Sequence, residues 1–199
     1  MQLTRRTLGV LAAATPSLAL AQSGDPRLGP RSMGRADAPV TVTEFFSLTC
    51  GHCAAFHTTN WPRVKAELVD TGRIRFVWRD FPLDGIALAA ACVARSLPED
   101  RYPAFLTTLF QTQDRWAFAQ GRQLEELARL AALAGMDRKG FDAVVADEAL
   151  RRGILEQRMA AEREFRITAT PSFAFNGRVQ SGNIAFDQFA QLVQQAPKP

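Results

Sequence analysis

The chain has 199 residues, of which 47% are hydrophobic and 22% are charged, and its formal net charge is +4. This composition is typical of a globular protein with one well-buried core and room for an inserted subdomain. Charges of both signs are interleaved, without a basic stripe or an aromatic ladder. The charge pattern therefore gives no indication of nucleic acid or an anionic membrane as a partner.

The first 21 residues have the pattern of an export signal. Arg5 and Arg6 form a positive n-region, an apolar run follows over residues 8–20, and Ala19-Leu20-Ala21 is a small-x-small cleavage pattern. The apolar run is shorter than the ~20 residues that span a bilayer. We therefore predict a cleaved signal peptide over residues 1–21 and export to the periplasm, by the Sec route or the twin-arginine route. An uncleaved anchor is the alternative.

A leader and a strand are predicted next. Residues 22–37 are rich in Gly, Pro and Arg, which predicts an exposed leader into the domain. Residues 40–46 alternate β-branched and aromatic side chains, which predicts a strand. After a short turn, a helix is expected to begin at Cys50 and to run to about Thr59.

A break and a second strand follow this helix. Pro62 cannot continue a helical hydrogen-bond ladder, so a kink is expected near residues 60–61, with Asn60 placed to cap a second helical segment. Residues 73–78 are predicted to form the next strand. Strand, helix and strand at this spacing indicate a parallel βαβ unit.

From residue 84 to about residue 165 the apolar side chains recur at helical spacing. Residues 124, 127, 128, 131 and 134 share one face, and Gly135 is placed to stop that helix. We therefore predict a helical insertion over residues 84–165. Cys92 lies in one of its apolar runs, where a small core residue is the favoured interpretation and a second redox or regulatory thiol is the alternative.

The last part of the chain returns to strands. Asn176-Gly177 between two short strand-like runs predicts a hairpin. A closing helix is expected over residues 184–193, with inward side chains at Ile184, Phe186, Phe189 and Val193. The predicted order is therefore β-α-β, helical insertion, β-β-α.

The sequence Cys50-Gly51-His52-Cys53 carries the candidate chemistry. Two cysteines separated by two residues at a helix start can close a small disulfide ring with little backbone movement. Unpaired N–H groups and the positive end of the helix dipole favour a thiolate at Cys50, so its pKa is expected to fall below the reference value near ~8.5. His52 can add positive charge or a hydrogen bond. Stabilising the reduced thiolate makes the disulfide form more oxidising.

Structural zinc and a purely structural disulfide are the alternatives for this motif. Cys50, Cys53 and His57 have ligand-like spacing, but no second close cluster completes four ligands. A disulfide ring this small constrains little of the unfolded chain and would stabilise the fold weakly. We therefore expect no metal and no cofactor other than the redox-active disulfide Cys50–Cys53.

Two further ionisable residues lie near the motif. Glu44 is six residues before Cys50 in the strand that leads to it, where a partly desolvated carboxyl could exchange protons with Cys53. An outward glutamate paired with an arginine is the alternative. His57 is two helical turns after Cys50 and could touch the site, but a partly buried surface histidine is the favoured interpretation.

Residues 37–53 read Asp-Ala-Pro-Val-Thr-Val-Thr-Glu-Phe-Phe-Ser-Leu-Thr-Cys-Gly-His-Cys and resemble the active-site entry of DsbA-like proteins of the thioredoxin superfamily. The resemblance continues through Asp80-Phe81-Pro82 and Thr170-Pro171-Ser172 and covers roughly residues 35–193. It implies an α/β thioredoxin fold, a central mixed sheet flanked by helices, over residues 38–83 and 166–196. The all-helical domain would be inserted at residues 84–165.

The resemblance also implies roles for individual residues. Cys50 would be the attacking or attacked sulfur, Cys53 the buried resolving partner and Glu44 the buried acid. Pro171 would be a cis-proline facing the disulfide, and the Thr170 backbone would pair with an extended substrate peptide as an added strand. A trans-proline opening a strand is the alternative.

The function implied is that of a periplasmic dithiol oxidase, which acts on reduced or unfolded exported proteins and is reoxidised by a membrane partner of the DsbB type. Gly51-His52 in place of proline-histidine, and Thr170 before the proline, differ from the best-known oxidases. A disulfide isomerase or a reductant kept reduced by a membrane electron donor therefore remains open. A peptide-binding chaperone is the candidate from a different class. The chain lacks an isomerase-type dimerisation domain at its start, which favours a monomer.

Overall fold

The computed structural model describes residues 24–198. Five strands form one sheet in the order β1-β3-β2-β4-β5. Their bounds are β1 Arg31–Met33, β2 Val40–Phe46, β3 Ile74–Asp80, β4 Ser172–Phe175 and β5 Arg178–Ser181. β2 and β3 are parallel, whereas the other neighbouring pairs are antiparallel. This mixed sheet with helices around it confirms the predicted thioredoxin fold.

The helices follow the predicted order along the chain. Their bounds are α1 Gly51–Thr59, α2 Trp61–Val64, α3 Gly85–Ser96, α4 Tyr102–Gln111, α5 Gln113–Trp116, α6 Gln123–Leu133, α7 Arg138–Val145, α8 Glu148–Phe165 and α9 Phe186–Gln194. A π-helical segment, Lys65–Val69, continues α2, and short 3-10 turns lie at Pro26–Leu28 and Glu99–Arg101. Helices α3 to α8 thus lie between β3 and β4 in the chain. None of the helices within residues 24–198 is long and apolar enough to cross a membrane. The predicted signal peptide over residues 1–21 lies outside the described part of the chain.

The segment predicted to be an exposed leader, residues 22–37, is in part a strand. Arg31–Met33 pairs antiparallel with β3, from Arg31 opposite Trp78 to Met33 opposite Phe76. The Arg31 side chain is buried and donates a hydrogen bond from Nη2 to the carbonyl oxygen of Arg95 over 3.1 Å. The prediction was wrong here because a three-residue edge strand takes its extended conformation from its partner strand and shows little alternation of its own.

The kink near residues 60–61 is confirmed, but the predicted cap is not. α1 ends at Thr59, and Pro62 lies in the first turn of α2. The Asn60 side chain forms no capping hydrogen bond and instead donates to Asn183 Oδ1 over 3.3 Å. Asn60 has a helical backbone, with φ −105° and ψ −37°, whereas a capping residue is normally extended.

The predicted patterns of α6 and of the C-terminal elements hold with one exception. Leu127, Ala128 and Ala131 are buried, but Leu124 in the first turn is 41% exposed. Gly135 follows α6 with a φ of +94°, a left-handed conformation that suits glycine at a helix end. The four inward residues predicted for α9 are all buried, namely Ile184, Phe186, Phe189 and Val193.

The hairpin between β4 and β5 is confirmed at Asn176-Gly177. Both residues have positive φ, 45° for Asn176 and 91° for Gly177, as a two-residue type I′ turn requires. Asn176 Oδ1 also accepts a hydrogen bond from the Thr41 N–H over 2.7 Å. This bond ties the hairpin to β2.

An aromatic core holds α1 against the sheet. The ring centroid of Phe56 lies 4.7 Å from that of Phe173 on β4 and 6.0 Å from that of Phe189 on α9. Trp61 lies against Phe76 of β3 with a centroid distance of 4.5 Å. Such pairs add about 0.5–1.5 kcal/mol beyond the area that they bury. Packing therefore anchors α1 on β4 and α9 through Phe56, and α2 on β3 through Trp61.

Candidate active site

Cys50 and Cys53 lie where β2 meets α1. β2 ends at Phe46, and the turn of residues 47–49 closes with a hydrogen bond from the Cys50 N–H to the Ser47 carbonyl oxygen over 3.1 Å. Cys50 has an extended backbone and is the N-cap residue of α1. Its side chain is half-buried, whereas that of Cys53 is buried, and both thiols are free. The structure therefore shows the reduced pair.

The environment of Cys50 stabilises its thiolate. A hydrogen bond from the Cys53 thiol is the largest cause that lowers the pKa of Cys50 from 9.0 to about 5. Partial burial opposes this shift, and hydrogen bonds from the backbone N–H groups of Cys53 and His52 add to it. When protonated, the thiol instead donates to the Thr170 carbonyl oxygen over 3.3 Å. The predicted direction of the shift is confirmed.

The environment of Cys53 has the opposite effect. Burial raises the pKa of Cys53 well above its usual value, and the hydrogen bond to Cys50 and the negative charge of Glu44 raise it further. At neutral pH one proton therefore stays on Cys53 while Cys50 is ionised. This difference gives the two sulfurs different chemistry, because Cys50 is a half-buried nucleophile and Cys53 a buried thiol.

Glu44 faces inward from β2 and is fully buried. Its two carboxylate oxygens lie 2.9 and 3.1 Å from Nε2 of His57. The alternative of an outward glutamate paired with an arginine is therefore wrong. The negative charge of Glu44 acts on Cys53, as noted above. The structure therefore brings together the acid and the buried cysteine between which the sequence analysis expected proton exchange.

His57 is not the partly buried surface histidine that the sequence favoured. Its side chain is 2% exposed, and its ring stacks on Phe110 of α4 with a centroid distance of 4.2 Å and an interplanar angle of 17°. The prediction was wrong because α4, from the helical insertion, covers the side of α1 that carries His57. Nε2 of His57 contacts the Glu44 carboxylate. Within residues 24–198 no group of three or more His, Cys, Asp and Glu side chains could hold a metal ion.

The two residues between the cysteines are exposed. The His52 imidazole forms no hydrogen bond with another residue in the described part of the chain, and only its backbone N–H contributes to the Cys50 thiolate. A Cβ atom placed on Gly51 would meet nothing within 4 Å. The space next to Gly51 is therefore open to another molecule.

Thr170 and Pro171 form the wall opposite the cysteines. The Thr170–Pro171 peptide bond is cis, as the resemblance implied. The Pro171 carbonyl oxygen already accepts a hydrogen bond from the Gly182 N–H over 2.8 Å, whereas the Thr170 carbonyl faces Cys50. Both residues are buried.

Two residues of the helical insertion that the sequence analysis missed hold the turn before Cys50. Nε2 of Gln113, a buried residue of α5, donates to the carbonyl oxygens of Leu48 over 2.9 Å and of Cys50 over 3.1 Å. Asp84, the N-cap of α3, accepts a hydrogen bond from the Thr49 hydroxyl over 2.6 Å. A sequence signal existed for Asp84, which is a typical N-cap residue, but none existed for Gln113.

The third cysteine lies apart from this site. Cys92 is in the middle of α3 and is fully buried in a cluster with Leu88, Ala91, Leu150 and Ile154. Burial is the main cause that raises the pKa of Cys92 to about 12. This environment is that of the core residue that the sequence favoured.

The comparisons with known proteins agree with this geometry. A thioredoxin family profile matches residues 27–195. A putative protein-disulfide oxidoreductase of Rickettsia felis is 30% identical over 165 residues, which cover 82% of this chain and 59% of that relative. The chain thus spans about three fifths of the length of the curated relatives it matches.

Two solved structures have the same fold. The crystal structure of Wolbachia pipientis alpha-DsbA1 superposes with a TM-score of 0.78 at 27% identity and covers 84% of this chain and 90% of that one. A protein-disulfide isomerase from Novosphingobium aromaticivorans gives a TM-score of 0.74 at 23% identity, covering 85% of this chain and 98% of that one. The second likeness concerns the fold alone.

Proposed function

Because this chain belongs to the thioredoxin family, and within it resembles the DsbA-like proteins, we propose that it is a periplasmic thiol–disulfide oxidoreductase that works as a dithiol oxidase. Its substrates would be reduced or unfolded exported proteins, which receive the Cys50–Cys53 disulfide. A membrane partner of the DsbB type would restore that disulfide after each cycle. Residues 1–21 supply the export signal that this location needs.

The observation that carries the proposal is the stabilised Cys50 thiolate. The hydrogen bond from the Cys53 thiol and its neighbours lower the pKa of Cys50 to about 5, so at neutral pH the reduced protein holds a thiolate. A reduced form stabilised in this way makes its disulfide a stronger oxidant and makes Cys50 a good leaving group. Both properties favour donation of a disulfide over reduction of one.

The cycle needs two exchange steps. A substrate thiolate attacks Cys50 Sγ, the Cys50–Cys53 bond breaks, and Cys53 leaves with the electron pair and takes a proton. A second substrate thiolate then attacks the substrate sulfur of the mixed disulfide and releases Cys50 as a thiolate. The substrate loses two electrons and the protein gains two. The open space at Gly51 and the Thr170 carbonyl next to Cys50 give a substrate peptide room to bind as an added strand.

The reduction potential of the Cys50–Cys53 pair tests this proposal directly. The protein is equilibrated with glutathione buffers, and its free thiols are alkylated and counted. We expect a value near the strong-oxidant figure of about −120 mV. A value near the thioredoxin figure of about −270 mV would instead make the protein a reductant.

A trapping variant tests whether exported proteins are the substrates. In Cys53→Ser the resolving sulfur is missing, so mixed disulfides between Cys50 and substrates should accumulate after export. The matched control is the Cys50→Ser, Cys53→Ser double variant, which cannot form them. Recovery of no mixed disulfides from Cys53→Ser would contradict the proposal, and full activity of the double variant would indicate a peptide-binding chaperone.

A disulfide isomerase is the second candidate because of two local features. Gly51-His52 lies between the cysteines, and Thr170 precedes Pro171; both features differ from the best-known oxidases and could lower the oxidising power. An isomerase should refold scrambled ribonuclease faster than it oxidises reduced ribonuclease. With a reduction potential near the disulfide isomerase figure of about −180 mV, the identity of the membrane redox partner would distinguish the two roles.

A further inference from the structure

A buried pair of ionisable groups, Glu44 and His57, lies beneath the redox site, and the exchange steps above do not name the group that supplies the proton to Cys53. Glu44 and His57 both lie in the core, and the carboxylate contacts Nε2 of His57 through both oxygens, at 2.9 and 3.1 Å. No other hydrogen-bond partner of the Glu44 carboxylate exists among residues 24–198. Nδ1 of His57 is buried and has no partner within the same residues. A carboxylate and an imidazole are therefore sealed in the interior with each other as their hydrogen-bonding partners.

The elements around this pair contribute few other charges. On β3 and β4 the residues level with Glu44 are Trp78 and Phe173, and α4 places the Phe110 ring on His57. The negative charge of Glu44 acts on two other titratable groups, Cys53 on α1 and Tyr102 on α4. Burial raises the pKa of Cys53, and the negative charge of Glu44 raises it further. Burial raises the pKa of Tyr102, and the negative charges of Asp80 and Glu44 raise it further.

An unpaired carboxylate is costly in such a place. Transfer of an isolated ionised carboxyl to an apolar interior is so unfavourable that the group normally becomes neutral. A hydrogen-bonded imidazole removes this constraint because the pair can hold one additional proton, with no net charge, or release it and carry one negative charge. The two states differ by one proton on groups that stay in contact, without a rearrangement of the core.

We infer that His57 is a positioning residue for the redox reaction. It holds the Glu44 carboxyl in a state able to exchange a proton with Cys53. The inference rests on the proposed exchange cycle and adds the group that makes the Glu44 proton available. When a thiolate attacks Cys50 Sγ, Cys53 leaves with the electron pair of the broken S–S bond. The proton held by the Glu44–His57 pair moves to Cys53, so that one negative charge passes from the Cys53 sulfur to the pair. In the reverse direction the pair takes the proton from Cys53 as the disulfide closes.

The test measures the release of Cys53 without a protein substrate. Dithiothreitol reduces the disulfide form of the full chain between pH 4 and pH 8, and the reaction is quenched with acid and followed by alkylation of the new thiols. Rates are corrected for the thiolate fraction of the reductant. The proteins are the wild type, His57→Phe, His57→Gln, Glu44→Gln and the Glu44→Gln, His57→Phe double variant. His57→Phe keeps an aromatic ring on Phe110, and His57→Gln keeps a hydrogen-bond donor for Glu44 but no site for the proton.

The inference predicts a change in the pH profile that depends on Glu44. His57→Phe and His57→Gln should both slow the reduction by at least about tenfold and move the inflection of the profile, because general acid catalysis by a positioned group contributes at least that much. In the Glu44→Gln background the inflection should be absent, and adding His57→Phe should change the rate by less than about twofold, as expected for residues that act as one unit.

Three results would overturn the inference. The first is a wild-type profile in His57→Phe, and the second is full rescue by His57→Gln, which would show that a hydrogen bond alone suffices. The third is an equal effect of His57→Phe with and without Glu44→Gln, which would indicate a packing role. Since dithiothreitol reduces the disulfide of an oxidase, an isomerase or a reductant alike, a negative result here is distinguishable from failure of the oxidase proposal.

Discussion

Cys50 and Cys92 are the same residue type on two helices of one chain, and the structure gives them opposite properties. Cys50 caps the N-terminus of α1, half-exposed, and hydrogen bonds led by that of Cys53 lower its pKa to about 5. Cys92 lies in the middle of α3, fully buried among aliphatic side chains, and burial raises its pKa to about 12. The comparison teaches that hydrogen-bond donors at a helix start, rather than helical position in general, create a reactive cysteine.

The largest expected difference between the two cysteines is in activity. Cys50→Ser should lower the rate of disulfide transfer by at least about a thousandfold, because it removes the sulfur that exchanges. Cys92→Ala should stay within about twofold of the wild type, since this residue lies outside the site. Oxidation of a reduced dithiol peptide, followed by alkylation, measures both. Substantial loss of activity in Cys92→Ala, with the fold intact, would restore the alternative of a second redox thiol.

Thiol labelling of the reduced, native protein should separate the cysteines by reactivity. Labelling of Cys50 with iodoacetamide should rise with pH around a midpoint of about 5, as its lowered pKa requires. Cys92 should react at least about a thousandfold more slowly at pH 7, because the label reaches it only when the core opens. Mass spectrometry of the labelled peptides at several pH values gives both rates, and denatured protein is the control in which all three cysteines react. Fast labelling of Cys92 in the native protein would contradict the structure.

A polar substitution at Cys92 should reveal its role in packing. Cys92→Ser buries a hydroxyl among Leu88, Leu150 and Ile154, so we expect it to lower the free energy of unfolding by about 1–3 kcal/mol. The matched variant Cys92→Ala leaves a small cavity but no polar group and should cost less. Urea denaturation followed by circular dichroism measures the difference. Equal stability of the serine variant and the wild type would place Cys92 in a polar or hydrated environment.

The smallest expected effect is a pH dependence of the stability of the reduced form. The folded pKa of Cys50, about 5, lies below its ordinary value of 9.0. The thiolate therefore stabilises the reduced fold fully above pH 9, less as the pH falls, and not at all once the pH has passed below 5. After allowance for solvent screening at this half-exposed group, we expect the Tm of the reduced protein, relative to the oxidised one, to rise by about 2–4 °C from pH 5 to pH 7. A constant difference between the two forms would mean that Cys50 does not ionise in this range.

The parts of the fold that were predicted correctly depend on neighbours in sequence. The alternation over residues 40–46 predicted β2, Pro62 predicted the break after α1, and Asn176-Gly177 predicted the hairpin. Local chemistry also placed Cys50 at a helix start with a lowered pKa. Each of these features is fixed by backbone preferences or by donors within a few residues, which a sequence displays directly.

The predictions that failed concern residues whose environment comes from distant parts of the chain. His57 is buried because α4 lies over it, and Arg31–Met33 is a strand because β3 pairs with it. Gln113 contacts Leu48 and Cys50 across 65 and 63 residues of sequence. Nothing in the local pattern of these residues distinguishes them from ordinary surface or loop residues.

By itself, the sequence determined the mixed α/β order, the CxxC motif at a helix N-terminus and the candidate acid Glu44 in the preceding strand. Only the tertiary structure decided that Glu44 pairs with His57 and that Gln113 holds the turn before Cys50. The physical reason is that the periodicity of side chains and the chemistry of turns act over a few residues, whereas burial and charge act through space. The helical insertion contributes to this environment through the Phe110 ring on His57 and through the hydrogen bonds of Gln113 to the turn before Cys50.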